Sequence, residues 1–227
     1  MKIKVIVFDL DDTLYDEIEY VKSGFKEVSN YFSDKFKLDK NLIYNYMVRD
    51  LEKNGRGKIF DNVLENFKIY SKENIKKAIF IYRTHKPNIV LPQATIEILN
   101  YFNSKKIPLY IVTDGNKVVQ NNKIDALEIR KYIKKDFITH RYGIKYSKPS
   151  TYCFEKIAKL EKVEYKDIVY IGDNPNKDFV NIKKLGFRTI RIINGMFANV
   201  RKAEEFEAEI EISRLIYLKE RLKYEVI

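Results

Sequence analysis

Residues 3–14 read IKVIVFDLDDTL: a nearly unbroken apolar run, IKVIVF, that ends on the carboxylates Asp9, Asp11 and Asp12. An apolar run without polar alternation predicts a strand buried on both faces, the central strand of a parallel sheet. The first twelve residues, MKIKVIVFDLDD, have the lysines and short apolar stretch of a secretion signal. Acidic residues interrupt that stretch after Phe8 and no small-residue cleavage site follows, so the reading as a strand is preferred. Positions two apart on an extended segment project to the same side, which lets Asp9 and Asp11 face one ligand. Two carboxylates so close repel each other unless a cation or a shared proton relieves them, and a divalent metal would do so. An Asp-rich turn or a helix cap would use the same residue type.

Working outward, the texture changes between about Tyr15 and Lys86. No proline occurs there, and apolar residues recur at helical spacing, as in Phe25, Val28, Phe32 and in Leu42, Tyr46. About four helices are predicted, with Gly55 and Gly57 in one loop and Pro87 and Pro92 punctuating the return. From Pro92 on, helices and strands alternate. Helices are expected at residues 94–105, 117–134, 150–161 and 179–185, and strands at 109–113, 137–139, 168–171 and 189–193. A short strand at 210–212 and a helix from about Ser213 close the pattern. Alternation of this kind predicts an α/β fold, a parallel sheet with helices on both faces. Ligands of such sheets bind beyond the carboxyl ends of the strands. The expected organisation is a core made of residues 1–14 and 89–227, interrupted by a helical insert at 15–88.

Three further strand ends carry polar chemistry. Thr113 is followed by Asp114, Gly115 and Asn116, a hydroxyl and backbone amides near a helix start that suit an anion; a turn with an N-cap would look alike. Lys148 precedes Pro149, a residue suited to beginning a helix, and its ammonium would balance carboxylates and hold a phosphoryl oxygen. Gly172 allows close backbone approach after a strand, and Asp173 and Asp178 follow. Hard oxygen ligands of this type suit Mg²⁺, which binds few protein carboxylates and keeps waters.

In order and position these four segments resemble the motifs of the haloacid dehalogenase superfamily. Its Asp-x-Asp-x-Thr is met by Asp9, Asp11 and Thr13, its strand-end hydroxyl by Thr113 and its lysine before a helix by Lys148. Its Gly-Asp with a second Asp further on is met by Gly172, Asp173 and Asp178. The resemblance covers the whole chain and implies a Rossmann-like core with an α-helical cap at about 15–88. It also implies a Mg²⁺-dependent phosphatase acting through an aspartyl-phosphate. Asp9 would be the nucleophile and Asp11 the general acid and base. Asp9, the backbone of Asp11, Asp173 and Asp178 would form the metal site, with Asp178 a ligand or an orienter of ligands. Thr113, the amides of Asp114 and Gly115, and Lys148 would bind the phosphoryl oxygens. Members that remove halide lack the second Asp, because halide leaves without a proton, so Asp11 argues against dehalogenation. A sugar phosphomutase shares all four motifs and stands as the alternative. A non-catalytic phosphate- or nucleic-acid-binding module is the alternative of another class, and the intact acidic set argues against it.

Composition narrows the partners. The formal charge is +11, from 43 basic and 32 acidic residues. Such a surface favours encounter with anions. The lysines are scattered along helical stretches, and no zinc-finger, recognition-helix or aromatic RNA-binding pattern occurs. The expected partner is a small phosphorylated metabolite, a sugar phosphate or nucleotide, and not nucleic acid. No apolar run of about 18 residues suggests a membrane span. The single cysteine, Cys153, fits a cytoplasmic protein and, beside Phe154 and Ile157, a core position. Arg56 and Lys58 are expected in a solvated loop, Gln120 and Lys123 on the surface, and His85 and His140 without a role.

Overall fold

The computed structural model of the chain describes residues 2–223 and 225. Its first strand, β1 (Val5–Phe8), is buried along its whole length. Four helices follow: α1 (Glu17–Phe36), α2 (Lys40–Asn54), α3 (Ile59–Asn66) and α4 (Lys72–Thr84). Alternation then begins with α5 (Gln93–Ser104), β2 (Leu109–Thr113), α6 (Lys117–Ala126), β3 (Lys135–Ile138) and α7 (Tyr152–Glu161). It ends with β4 (Ile168–Gly172), α8 (Val180–Lys184), β5 (Arg188–Ile192), β6 (Ile210–Ile212) and α9 (Leu218–Arg221). The chain divides into two compact units. One joins the segment up to Glu17 with everything from Val90 onward; the other is Ile18–Ile89.

The first unit is an α/β fold around a six-stranded sheet in the order β3-β2-β1-β4-β5-β6, parallel at every pairing. β1 sits between β2 and β4, with Val7 opposite both Tyr110 and Tyr170. Its apolar composition follows from that position, since helices and sheet leave it no solvent face. Val5 and Val7 pack with Val112, Ile168 and, from α7, Cys153, Phe154 and Ile157. Cys153 is a buried free thiol in that core. The chain leaves β1 toward β2 on one side and returns to β4 on the other, so the order in which strands are added reverses beside β1. A crevice beyond the carboxyl ends opens at such a point.

Several element boundaries depart from expectation: β3 starts at Lys135 and gives way to a 3-10 turn at Thr139, and the last helix starts at Leu218. The helix after β2 stops at Ala126, because Glu128 takes a left-handed backbone (φ 49°) and the chain continues as a 3-10 turn over Ile129–Lys131. Pro149 does not open α7: the Lys148–Pro149 peptide is cis and the helix starts at Tyr152.

In the second unit, α1 contributes Val21, Phe25, Val28 and Phe32 to a core shared with Ile43, Met47, Val63, Leu64 and Ala78. The spacing of four, three and four residues places that stripe on one face of α1. Asp39 caps α2 by accepting from the amides of Asn41 and Leu42, and Ser71 caps α4 by accepting from Asn74. Gly24 faces α4: a Cβ there would lie 2.5 Å from the Tyr82 ring. His85 is buried beside Tyr20, its Nδ1 2.8 Å from the Tyr82 carbonyl. Arg56 and Lys58 are exposed. Among the described residues, no helix is long and apolar enough to cross a membrane.

Candidate active site

The sheet order sets the ends of β1, β2 and β4 side by side. Asp9 follows β1 directly, and the ladder runs one step further to hold it: its amide donates to the Ile171 carbonyl at 2.8 Å. Asp173 follows β4, and Asp178 returns to the same place through the turn 174–177. One carboxylate oxygen from each of Asp9, Asp173 and Asp178 lies within 4.8 Å of the others, and all three residues are buried.

Lys148 is the cation among them. Its Nζ lies 2.8 Å from Asp9 Oδ1 and 2.7 Å from Asp178 Oδ1, and donates to the Tyr170 hydroxyl at 2.8 Å. The loop that carries Lys148 is tied to the end of β2, because the Lys148 amide donates to Asp114 Oδ1 at 3.0 Å. Asp114 also accepts from Thr139 (2.8 Å) and from Lys177 Nζ (2.9 Å). Its side chain therefore ties three loops together, while Thr113 is buried at the strand end. Thr13 is buried too, its Oγ1 without a hydrogen-bond partner among the described residues.

Asp178 has both oxygens committed. Oδ1 faces Lys148 and the Tyr170 hydroxyl (3.2 Å), and Oδ2 accepts from the Asn174 amide at 2.9 Å. The close approach depends on Gly172, whose Cβ, if present, would lie 2.5 Å from Asp178 Oδ2. The Asp173 carboxylate makes no hydrogen bond among the described residues. Its backbone is pinned instead: the fully buried Arg191 donates to the Asp173 carbonyl (3.2 Å), to Glu207 (2.7 Å) and to the carbonyls of Phe197 and Val200 (2.7 and 2.9 Å).

The electrostatics follow from burial. Burial pushes the Asp9 carboxyl up to about 7 against the pull of Lys148, with Asp178 adding to the rise. Burial, then the charges of Asp9 and Asp178, push Asp173 up to about 9. Burial alone would lower the Lys148 ammonium, but Asp178 and Asp9 outweigh it and hold the group well above its ordinary value. Three buried carboxylates facing one buried ammonium leave an excess of negative charge. A divalent cation would relieve that excess. The oxygens also come near the span of about 4 Å that ligands on opposite sides of a 2.0–2.1 Å Mg²⁺ shell require. The donor set fits such an ion, with Asp9 and Asp173 free to face it and Asp178 engaged in holding Lys148.

Asp11 stands apart from this trio, turned toward α6. Its Oδ1 accepts from the Tyr15 hydroxyl (2.7 Å) and from Lys123 Nζ (2.8 Å), and its Oδ2 from Gln120 Nε2 (2.8 Å). Burial raises this carboxyl, but the Lys123 charge and these three donors more than cancel it and hold it below its usual value. Gln120 and Lys123 correct the sequence reading. Expected on the surface, each is only 2% exposed. The signal was present in the spacing of Gln120, Lys123, Ile124 and Leu127, an inward stripe at i, i+3, i+4 and i+7 whose polar members disguised it.

Residues 3–186 match the family described as haloacid dehalogenase-like hydrolase. Among curated proteins, the chain is similar to the glyceraldehyde 3-phosphate phosphatase of Methanocaldococcus jannaschii, 28% identical over 97% of this chain and 99% of that one. The protein of the same name from Pyrococcus furiosus is 26% identical over 99% of this chain and 95% of its own length. Among solved structures, the HAD-hydrolase YfnB from Bacillus subtilis, in a magnesium-bound orthorhombic form, superposes with a TM-score of 0.67. Identity there is 17%, over 98% of this chain and 99% of that one.

Proposed function

The chain belongs to the haloacid dehalogenase-like hydrolases, and from that premise we propose that it hydrolyses a small phosphomonoester through a phosphoryl group carried on Asp9. The observation that carries this reading is Lys148, buried between Asp9 and Asp178 at 2.8 and 2.7 Å, with the Asp173 carboxylate within 4.8 Å of theirs. A phosphate-binding module would have no use for a carboxylate at its centre, since like charges repel. A carboxylate nucleophile explains it.

Asp9 attacks phosphorus in line with the ester oxygen, and the bond to that oxygen breaks. Asp11, which Lys123 and its other donors favour as the carboxylate, takes up a proton as the ester binds and gives it to the departing alkoxide. A water then attacks the phosphorus of the aspartyl-phosphate, Asp11 takes the proton of that water, and Asp9 is released with inorganic phosphate. Lys148, the Thr113 hydroxyl and the amides of Asp114 and Gly115 bind the phosphoryl oxygens as they move. Asp9, Asp173 and the backbone carbonyl of Asp11 would hold Mg²⁺, and Asp178 would steady Lys148 beside it. That ion, when bound, withdraws charge from the phosphoryl group and keeps Asp9 ionised.

The two curated relatives carry the name glyceraldehyde 3-phosphate phosphatase over nearly their full lengths. Within the small sugar phosphates, a triose phosphate is therefore the substrate assigned here, in a reducing cytoplasm and with no nucleic-acid partner. The unit Ile18–Ile89 is assigned the part of the cap, which chooses the substrate beyond its phosphoryl group.

Phosphate release from glyceraldehyde 3-phosphate, set against a panel of phosphorylated metabolites, tests the reading. Turnover is expected with Mg²⁺, lost in chelator and lost in Asp9→Ala. Retention of most activity by Asp9→Ala would remove the nucleophile and the reading with it.

A further inference from the structure

Lys123 and Gln120 lie on α6, outside the acidic trio, yet both are buried against the residue assigned here to proton transfer. Lys123 Nζ lies 2.8 Å from Asp11 Oδ1 and 3.0 Å from Glu17 Oε1, so one ammonium sits between two carboxylates. The Gln120 amide nitrogen donates both to Asp11 Oδ2 (2.8 Å) and to the Thr113 hydroxyl (2.7 Å). Tyr15 adds a third donor on Oδ1. Burying an ammonium costs several kcal/mol before pairing, and an apolar side chain on this stripe of α6 would avoid that cost. The charge is retained where it fixes a carboxylate.

We propose that Lys123 and Gln120 are positioning residues that set the orientation of Asp11 for proton transfer to the leaving group. Gln120 ties that orientation to Thr113 and so to the phosphoryl cradle. This rests on the reading of Asp11 given above. A freely rotating Asp11 could place its oxygens on either side of the strand end. With one oxygen gripped by Lys123 and Tyr15 and the other by Gln120, a single orientation is kept. Glu17 holds Lys123 from the far side, so the ammonium cannot follow Asp11 out of register. Losing Lys123 leaves in place Asp9, Lys148, Asp173 and Asp178, which among the described residues take no bond from α6; losing Gln120 also frees the Thr113 hydroxyl, an effect that both kinds of substrate share. The first step should therefore suffer only where the leaving oxygen needs a proton, whereas hydrolysis of the aspartyl-phosphate, in which Asp11 takes the proton of water for either substrate, slows equally for both.

That selectivity defines the test. Turnover of an alkyl phosphate, whose alkoxide needs a proton, is compared with that of 4-nitrophenyl phosphate, whose phenolate leaves without one. Both are measured on the same protein sample with saturating Mg²⁺, so that the ratio of kcat/KM values, which reports the steps through phosphoryl transfer to Asp9, is independent of the folded fraction. Wild type, Asp11→Asn, Lys123→Met, Lys123→Arg and Gln120→Leu are compared. In Lys123→Met and Gln120→Leu the alkyl-to-aryl ratio is expected to fall by roughly tenfold or more, part of the ~100-fold or larger effect of a well-placed general acid. Lys123→Arg should recover part of the ratio. If Asp11→Asn lowers the ratio while either neutral variant keeps the wild-type value, the positioning role is overturned and the reading of Asp11 stands. If Asp11→Asn itself keeps the ratio, the assignment of Asp11 falls and this inference falls with it. Should Lys123→Met not accumulate as folded protein, Gln120→Leu decides the question alone.

Discussion

A single methyl group at position 172 would collide with the carboxylate that holds Lys148. The 2.5 Å separation between a Cβ there and Asp178 Oδ2 cannot be met without moving Asp178, whose two oxygens are already engaged by Lys148 and the Asn174 amide. Gly172→Ala is expected to leave the sheet intact, to weaken Mg²⁺ affinity and to lower kcat by about 10- to 100-fold, as when a partner behind a metal ligand is lost. Mg²⁺ titration of activity measures both effects; wild-type values would mean that the loop yields without cost. At this scale the sequence was most legible where residue type and place agree. Aspartates at the mouths of apolar strands have few bland explanations, and Asp9, Asp173 and Asp178 do converge. Gln120 and Lys123 were opaque for the opposite reason: polar residues on a helix are usually solvated, and only tertiary packing shows that this stripe faces inward. The side chain of Asp114 was also missed, since its three partners come from loops that sequence spacing does not bring together.

Among the elements, α1 carries a conflict between local preference and packing. Alanine is favoured over glycine in a helix interior by about 1 kcal/mol. At Gly24, however, the added carbon would press on a Tyr82 ring already packed against Tyr20, Phe25 and Phe60. Overpacking of that kind costs about 1–3 kcal/mol. Gly24→Ala is thus expected to lower Tm, by roughly 2–4 °C for each net kcal/mol lost. A thermal melt decides it, and an unchanged or higher Tm would show that the aromatic cluster gives way. The alternation of strands and helices was legible because buried parallel strands and amphipathic helices have different periods. Element ends were not. The left-handed residue that stops α6 is a glutamate, with no glycine or asparagine to announce it.

For the whole molecule, the acidic trio is a stability term as well as a chemical one. Asp173 ionises near its ordinary 3.8 in the unfolded chain and at about 9 in the folded, metal-free one. The folded state then binds the extra proton, so the contribution of Asp173 to stability is fully present below about pH 4 and is lost as pH rises toward 9. Asp173→Asn removes that loss and should melt at or above wild type in chelator, with the gap widest at the alkaline end. Mg²⁺ bound at the folded site, as proposed above, should stabilise wild type by about 2.7 kcal/mol at a hundredfold excess over Kd. The variant should gain much less, and a full Mg²⁺ shift in Asp173→Asn would show the ion lies elsewhere. The sheet order has a consequence of another kind, in time. β1 is made first, but it lies between β2 and β4, and Val5 waits for Ile168, roughly 160 residues further along. At the usual pace of synthesis that is an interval of about 8–30 s. Throughout it the nascent chain carries a wholly apolar strand with at least one edge unpaired, while Ile18–Ile89, whose core is drawn from its own residues, can fold at once. On the ribosome, protease resistance should therefore reach α1–α4 well before β1, and Asp9 at the end of that strand, the nucleophile proposed above, should be among the last residues to find its place.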